Sequence, residues 1–377
     1  MMFAGIGRMM TKNQFADRWL LDPEVIFLNH GSFGGTPKAV LEEQTRIRER
    51  IEREPLIFFD HDYLRELDQA RTVLARFLGA RTDDHAFVVN ATTGVNTVLR
   101  SLHLERGDQL LVTDHEYNAC RNALEVAAQR AGAEVVVASV PFPVRSAGQV
   151  VDAVLASMGP HCRLLLIDHV TSQTGLVLPL DELVAEAHRR EVAVLVDGAH
   201  APGMVDLDLH KLGVAYYTGN LHKWVCAPKG AAFLYVREDL REQVRPLVIS
   251  HGANASSATR SRFHLEHDWT GTRDPSAWLS VESALAAVAS LVAGGWAEVR
   301  DHNRQLALEG RRIVCDALGV DVPSPDGMVG SLASIPLTDG DGASVNDIFP
   351  FDALQLALFE RYRIEVPIIS WPERPKR

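Results

Sequence analysis

Residues 192–200 read VAVLVDGAH and residues 216–225 read YYTGNLHKWV, and these two stretches decide the fold. The first is a short apolar run that closes on Asp197, Gly198 and His200. A run of this kind, rich in β-branched residues and ended by a turn signal, reads as a strand buried on both faces. The second is another apolar run, followed by a loop that sets Lys223 beside Trp224 and Val225. The same pattern recurs on either side, in AFVVN (86–90), LLVTD (110–114), EVVVASV (134–140), RLLLIDHV (163–170) and AAFLYV (231–236). Helical stretches separate these runs, with 63–78 a clear amphipathic example and a further helix expected from Gly94. Strands alternating with helices predict βαβ units around one mostly parallel, seven-stranded sheet, an α/β fold. Polar residues close the runs at Asn90, Asp114, Asp168, Asp197 and Thr218, and that edge of an open α/β sheet is where ligands bind.

The pattern changes near His251. HGANASSATRSR (251–262) reads as a linker, and helices are expected over Pro275–Ala293 and Ala297–Leu318. SLASIPL (331–337), a helix near Asp352–Tyr362 and a strand RIEVPII (363–369) then suggest a smaller α+β unit. The expected organisation is a large domain over 21–260 and a small C-terminal domain over 261–377, joined by residues 1–20.

The chain has 377 residues, with 38 Lys+Arg against 49 Asp+Glu and a net charge of −11, which argues against nucleic acid or anionic membrane as a partner. Cys120, Cys162, Cys226 and Cys315 are scattered, forming neither a disulfide framework nor a metal site, so no metal is expected. No signal peptide or membrane span is evident, and a cytoplasmic location is expected. Lysine is scarce. Only six occur, and Lys211, Lys223 and Lys229 lie within nineteen residues of one another.

A lysine enclosed by Trp224 and Val225 is expected to have a lowered pKa, because desolvation disfavours the ammonium form. Such an amine is the nucleophile of Schiff-base chemistry. A carboxylate at a strand end, Asp197, is the partner that a protonated pyridine nitrogen requires, so the two form the minimal pair for pyridoxal 5′-phosphate (PLP). NATTGVN (90–96) lies between a strand and a helix, where backbone N–H groups and the Thr92 and Thr93 hydroxyls meet an anion. Thr93 suits an N-cap equally well.

DGAH, NLHKW, NATTGVNTVLR and LNHGSFGG together resemble the class V aminotransferase group of PLP-dependent fold type I enzymes, over about Phe27 to Trp371. Within it the likeness is to isopenicillin N epimerase-like proteins and hercynylcysteine sulfoxide lyases. The resemblance implies that Lys223 carries the cofactor as a Schiff base, that Asp197 pairs with the pyridine nitrogen, and that His200 approaches the phenolic oxygen. It further implies Thr92, Thr93, Asn220 and His222 at the phosphate, Tyr117 of DHEYNA stacked on the ring, and Ser172 of VTSQTG near the ring oxygen. Thr272 of GTRDPSA corresponds to a contact with the neighbouring subunit's phosphate, which implies a homodimer with shared sites. Asn29 and His30 fall where the family approaches its amino-acid substrate, although a Gly-rich turn explains LNHGSFGG as well. Members continue past the region of WPERPKR with an arginine that binds the substrate carboxylate. The sequence stops at Arg377, before that segment; either the chain continues past Arg377 or another group, such as Arg273, takes the role.

Three reactions fit this resemblance: epimerisation at Cα, C–S lysis and transamination. Cysteine desulfurase ranks lower, since Cys315 sits on a predicted helix among apolar residues, where a thiol is inert. A catalytically silent binding or regulatory protein is the non-enzyme alternative, and the presence of Lys223 speaks against it.

Overall fold

The structure, a computed structural model, describes residues 14–337 and 352–369. The beginning of the expected N-terminal joining segment and WPERPKR lie outside them. In chain order the elements used below begin with β1 (Ile26–Phe27), α1 (Lys38–Arg53) and α2 (Tyr63–Leu78), then β2 (His85–Val88), α3 (Ala91–Ser101) and β3 (Gln109–Thr113). Next come α4 (Asn118–Ala131), β4 (Glu134–Ala138), α5 (Ala147–Ser157), β5 (Cys162–Asp168), α6 (Leu180–Arg189) and β6 (Ala193–Asp197). After β7 (Tyr216–Asn220) and β8 (Ala232–Val236) follow the helices α7 (Arg262–Asp268), α8 (Ser276–Leu279), α9 (Val281–Ala289), α10 (Gly295–Leu318) and α11 (Ala353–Tyr362), and finally β9 (Ile364–Glu365).

Seven strands form one sheet in the order β2-β8-β7-β6-β5-β3-β4, with β8 alone running opposite to the other six. Alternate residues enter two cores. Leu165, Ile167, Val194, Val196 and Tyr217 face one layer of helices, while Leu164, Leu166, Leu195 and Tyr216 face the other. Burying a large aliphatic side chain contributes about 1.5–3 kcal/mol, so packing on both faces fixes the register of these strands.

Several sequence expectations need correction. β4 is not buried on both faces: it is the edge strand, and Val137 is 40% exposed. The helix expected from Gly94 begins at Ala91, because Asn90 is the N-cap instead of Thr93; its Oδ1 accepts from the Thr93 amide (2.8 Å) and hydroxyl (2.9 Å). The expected helix over 275–293 divides into α8 and α9 at Ser280, a buried serine whose hydroxyl turns back on the Ser276 carbonyl (2.7 Å). SLASIPL is no strand, since no partner strand runs beside it among the described residues. RIEVPII shrinks to Ile364–Glu365, paired in parallel with Ile26–Phe27; Pro367 has no N–H to extend the ladder.

The polar stretch after His251 leads into a buried helix. Phe263, His264, Glu266, His267 and Asp268 of α7 are all buried. Asp268 accepts from Arg71 of α2 and from Arg260 (2.5 Å), and the Tyr63 hydroxyl donates to its carbonyl (2.7 Å). A buried carboxylate needs such partners, and here they fasten the segment that precedes GTRDPSA to α2.

Candidate active site

The carboxyl ends of β2, β5, β6 and β7 meet along one edge of the sheet, and β8, running the other way, brings Gly230 to it. A cleft of about 380 Å³ opens there. It is lined by Thr92, Tyr117, Ser172, Asp197, His200, Asn220, His222 and Lys223, eight of the residues expected from the sequence.

Asp197 ends β6 and is 2% exposed. Its Oδ1 accepts from the Ala199 amide and its Oδ2 from the Cys120 thiol, both at 2.9 Å. Burial pushes its pKa up, while the Cys120 and Ala199 bonds and nearby Lys223 pull the other way. It makes no ion pair among the described residues, so a cationic ring N–H would supply the partner it lacks.

Lys223 lies on the loop after β7. That loop is closed by the Ala227 amide on the Leu221 carbonyl (3.0 Å) and is backed by His30, whose Nε2 meets the Lys223 carbonyl at 3.1 Å. Gly34, at φ +70°, packs against the loop so closely that a Cβ would stand 2.0 Å from the His222 carbonyl oxygen. The Lys223 amine is 2.8 Å from His200 Nε2, and the Trp224 indole donates to His200 Nδ1 (3.4 Å). That donation leaves the proton of the neutral imidazole on Nε2, so the lysine is the acceptor, and the arrangement favours its free amine. Enclosure lowers the Lys223 pKa to about 8, and the same burial, reinforced by Lys223, lowers His200 well below its ordinary value and His222 to about 4.

At the other end of the cleft is the N-terminus of α3. Asn220 spends its Oδ1 on the Ala91 amide (2.8 Å), and Gly94 lies so close to β7 that a Cβ would meet Thr218 Oγ1 at 2.1 Å. Thr92 faces the cleft from this first turn. A lysine of lowered pKa, a buried carboxylate lacking a cation and a helix N-terminus, arranged around one cleft, fit PLP at three separate points.

Five expected residues do not line the cleft. Thr93 is turned to Asn90. Asn29 accepts from Ser32 (2.5 Å) and donates to Glu365 (3.4 Å), and His30 lies behind the lysine loop. Thr272 is exposed, and Arg273 lies 3.7 Å over the Trp278 ring while donating to Thr270 (3.0 Å). Sequence reading passed over Cys120, and over Glu116, although DHEYNA held it. It also passed over Lys229, which lines the cleft and donates to the Gly34 carbonyl (2.9 Å); the clustering of three lysines was its signal.

The class V aminotransferase model matches residues 39–349. The chain belongs to the class V aminotransferase family. It is 38% identical over 371 residues to the isopenicillin N epimerase of Amycolatopsis lactamdurans, covering 94% of this chain and 90% of that one. It is 33% identical to a probable chloroplastic L-cysteine desulfhydrase of Arabidopsis thaliana, covering 93% and 76%. A solved cystine C–S lyase, in complex with its product cysteine persulfide, superposes with a TM-score of 0.76 at 25% identity, covering 92% of this chain and 91% of that chain. Class V members are PLP enzymes of fold type I, and this chain is a PLP-dependent enzyme of that family.

Proposed function

We propose that the enzyme acts at the Cα of an amino-acid substrate and inverts it, as an isopenicillin N epimerase-like enzyme. The observation that carries the chemistry is Lys223, enclosed in the cleft with a pKa near 8 and held against His200. When bound, PLP supplies an electron sink for the pair left at Cα when a bond there breaks. Lys223 moves the Cα proton, since its lowered pKa makes the free amine predominant above about pH 8. Asp197 would hold the ring nitrogen and Thr92 the phosphate, at the α3 N-terminus, with Tyr117 and Ser172 contributing to the ring's side of the cleft. Identity of 38% across nearly the whole chain with the Amycolatopsis epimerase supports inversion over the other outcomes.

C–S lysis is the second reading, favoured by the fold shared with the cystine C–S lyase and by the desulfhydrase relatives. It needs one base and a sulfur leaving group. A desulfurase that passes sulfur to its own cysteine is disfavoured, because all four cysteines are buried. The two readings separate when holoenzyme is incubated in D₂O with isopenicillin N and, separately, with L-cystine. Inversion with deuterium at Cα and no pyruvate is expected; pyruvate from cystine without inversion would replace the first reading by the second. We further propose a cytoplasmic homodimer in which exposed Thr272, outside its own cleft, serves the partner's phosphate.

A further inference from the structure

Three acids meet beneath the cleft. Asp168 and Asp197 are register partners on the parallel strands β5 and β6, and both are buried. Glu116, from the turn between β3 and α4, reaches the same place: its carboxyl, the Cys120 thiol and the Asp197 carboxyl all lie within 4.8 Å of one another. The Glu116 and Asp168 carboxyl groups face each other, and neither Glu116 oxygen, nor Asp168 Oδ2, has a hydrogen-bond partner among the described residues.

A carboxylate only accepts, so two buried carboxyl groups that face each other can bond only by sharing a proton. Like charges at such range cannot both persist in a buried site. The groups facing the cluster are Tyr117, Tyr217, Cys120 and, as its one cation among the described residues, Lys223, which acts on Asp168 and Asp197. Asp197 has two donors of its own, Ala199 and Cys120, and is the acid best equipped to stay ionised.

We propose that Glu116 is un-ionised, donates its proton to Asp168, and is thereby the positioning residue that keeps Asp197 anionic toward the cofactor's ring nitrogen. Burial raises both Glu116 and Asp168 well above the usual carboxylic acid range, and Glu116 and Lys223 pull Asp168 back down. An ionised Glu116 would put a third negative charge in the cluster and draw a proton onto Asp197. The inference rests on the reading of Asp197 as the ring partner, and its two halves can be tested apart.

The first half needs no cofactor. Infrared spectra of apo-protein labelled with ¹³C-glutamate, at neutral pH, are expected to show the carbonyl stretch of an un-ionised acid, and Glu116→Gln should remove it. A spectrum without that band, or a band that survives in Glu116→Gln, overturns the proposal. The second half is read by titrating apo-protein with PLP. Glu116→Gln, a neutral donor of similar shape, should bind within about twofold of the parent. Glu116→Ala should bind about tenfold more weakly, the equilibrium equivalent of one charge-assisted hydrogen bond. If the glutamine variant loses as much as the alanine variant, Glu116 is needed as an anion and the proposal fails. If the band behaves as expected but both variants bind PLP like the parent, Glu116 is un-ionised but does not position Asp197. Should Glu116→Ala not fold, the band and the glutamine variant still decide the matter.

Discussion

Lys223 owes its reactivity to enclosure. With its pKa near 8, where the ordinary value is 10.5, the free amine predominates above pH 8 and is depleted below it. The rate at which apo-protein takes up PLP is therefore expected to climb with pH and level off above about 8. A midpoint near 10.5 would show an amine that behaves as if exposed. Asp197→Asn should fold as the parent does but bind PLP more weakly by about 1.5–3 kcal/mol, the worth of a hydrogen bond to a charged group. Equilibrium titration measures it, and unchanged affinity would remove Asp197 from the ring nitrogen. Both residues were legible in the sequence because an ionisable group closing an apolar run is chemically out of place. Glu116 and Cys120 were not, since what defines them is each other's proximity and that of Asp168, which only the β5–β6 register and the turn before α4 create.

At the scale of elements, α3 carries the phosphate end of the cleft, and its placement depends on Gly94. A methyl group there would stand 2.1 Å from Thr218 Oγ1, so the helix must withdraw from β7. Gly94→Ala is expected to destabilise the fold by about 1–3 kcal/mol, as overpacked sites do, and to weaken PLP binding. Denaturant titration would show it; an unshifted midpoint would mean that α3 tolerates a retreat. The seven sheet strands were readable because runs of three to six apolar residues between turn signals have few other homes. RIEVPII and SLASIPL show where that reading ends. Alternating apolar residues describe a face, but a strand also needs a neighbour, and Pro367 interrupts the first while the second has none among the described residues.

For the whole molecule, the proposed shared site makes a test by mixing possible. GTRDPSA follows α7, which Asp268 fastens to Arg71 and Arg260, so exposed Thr272 stands on an anchored base. Inactive Lys223→Ala mixed with inactive Thr272→Ala/Arg273→Ala, under conditions of subunit exchange, should regain activity, because one site in each mixed dimer is free of every substitution. Confirmed exchange without recovery would restrict each site to a single chain.

The reversed strand β8 also imposes a schedule on biosynthesis. Of the seven strands, β2 is made first, yet its ladder partner is β8, and the lysine loop between β7 and β8 is backed by His30 and Gly34 from near the start. A ribosome delivering this chain releases the phosphate end of the cleft long before residues 232–236 exist to complete its strand. Contacts of such sequence separation form slowly and late. The cleft that receives the vitamin-derived cofactor is therefore complete only once β8 has been made and has joined β2.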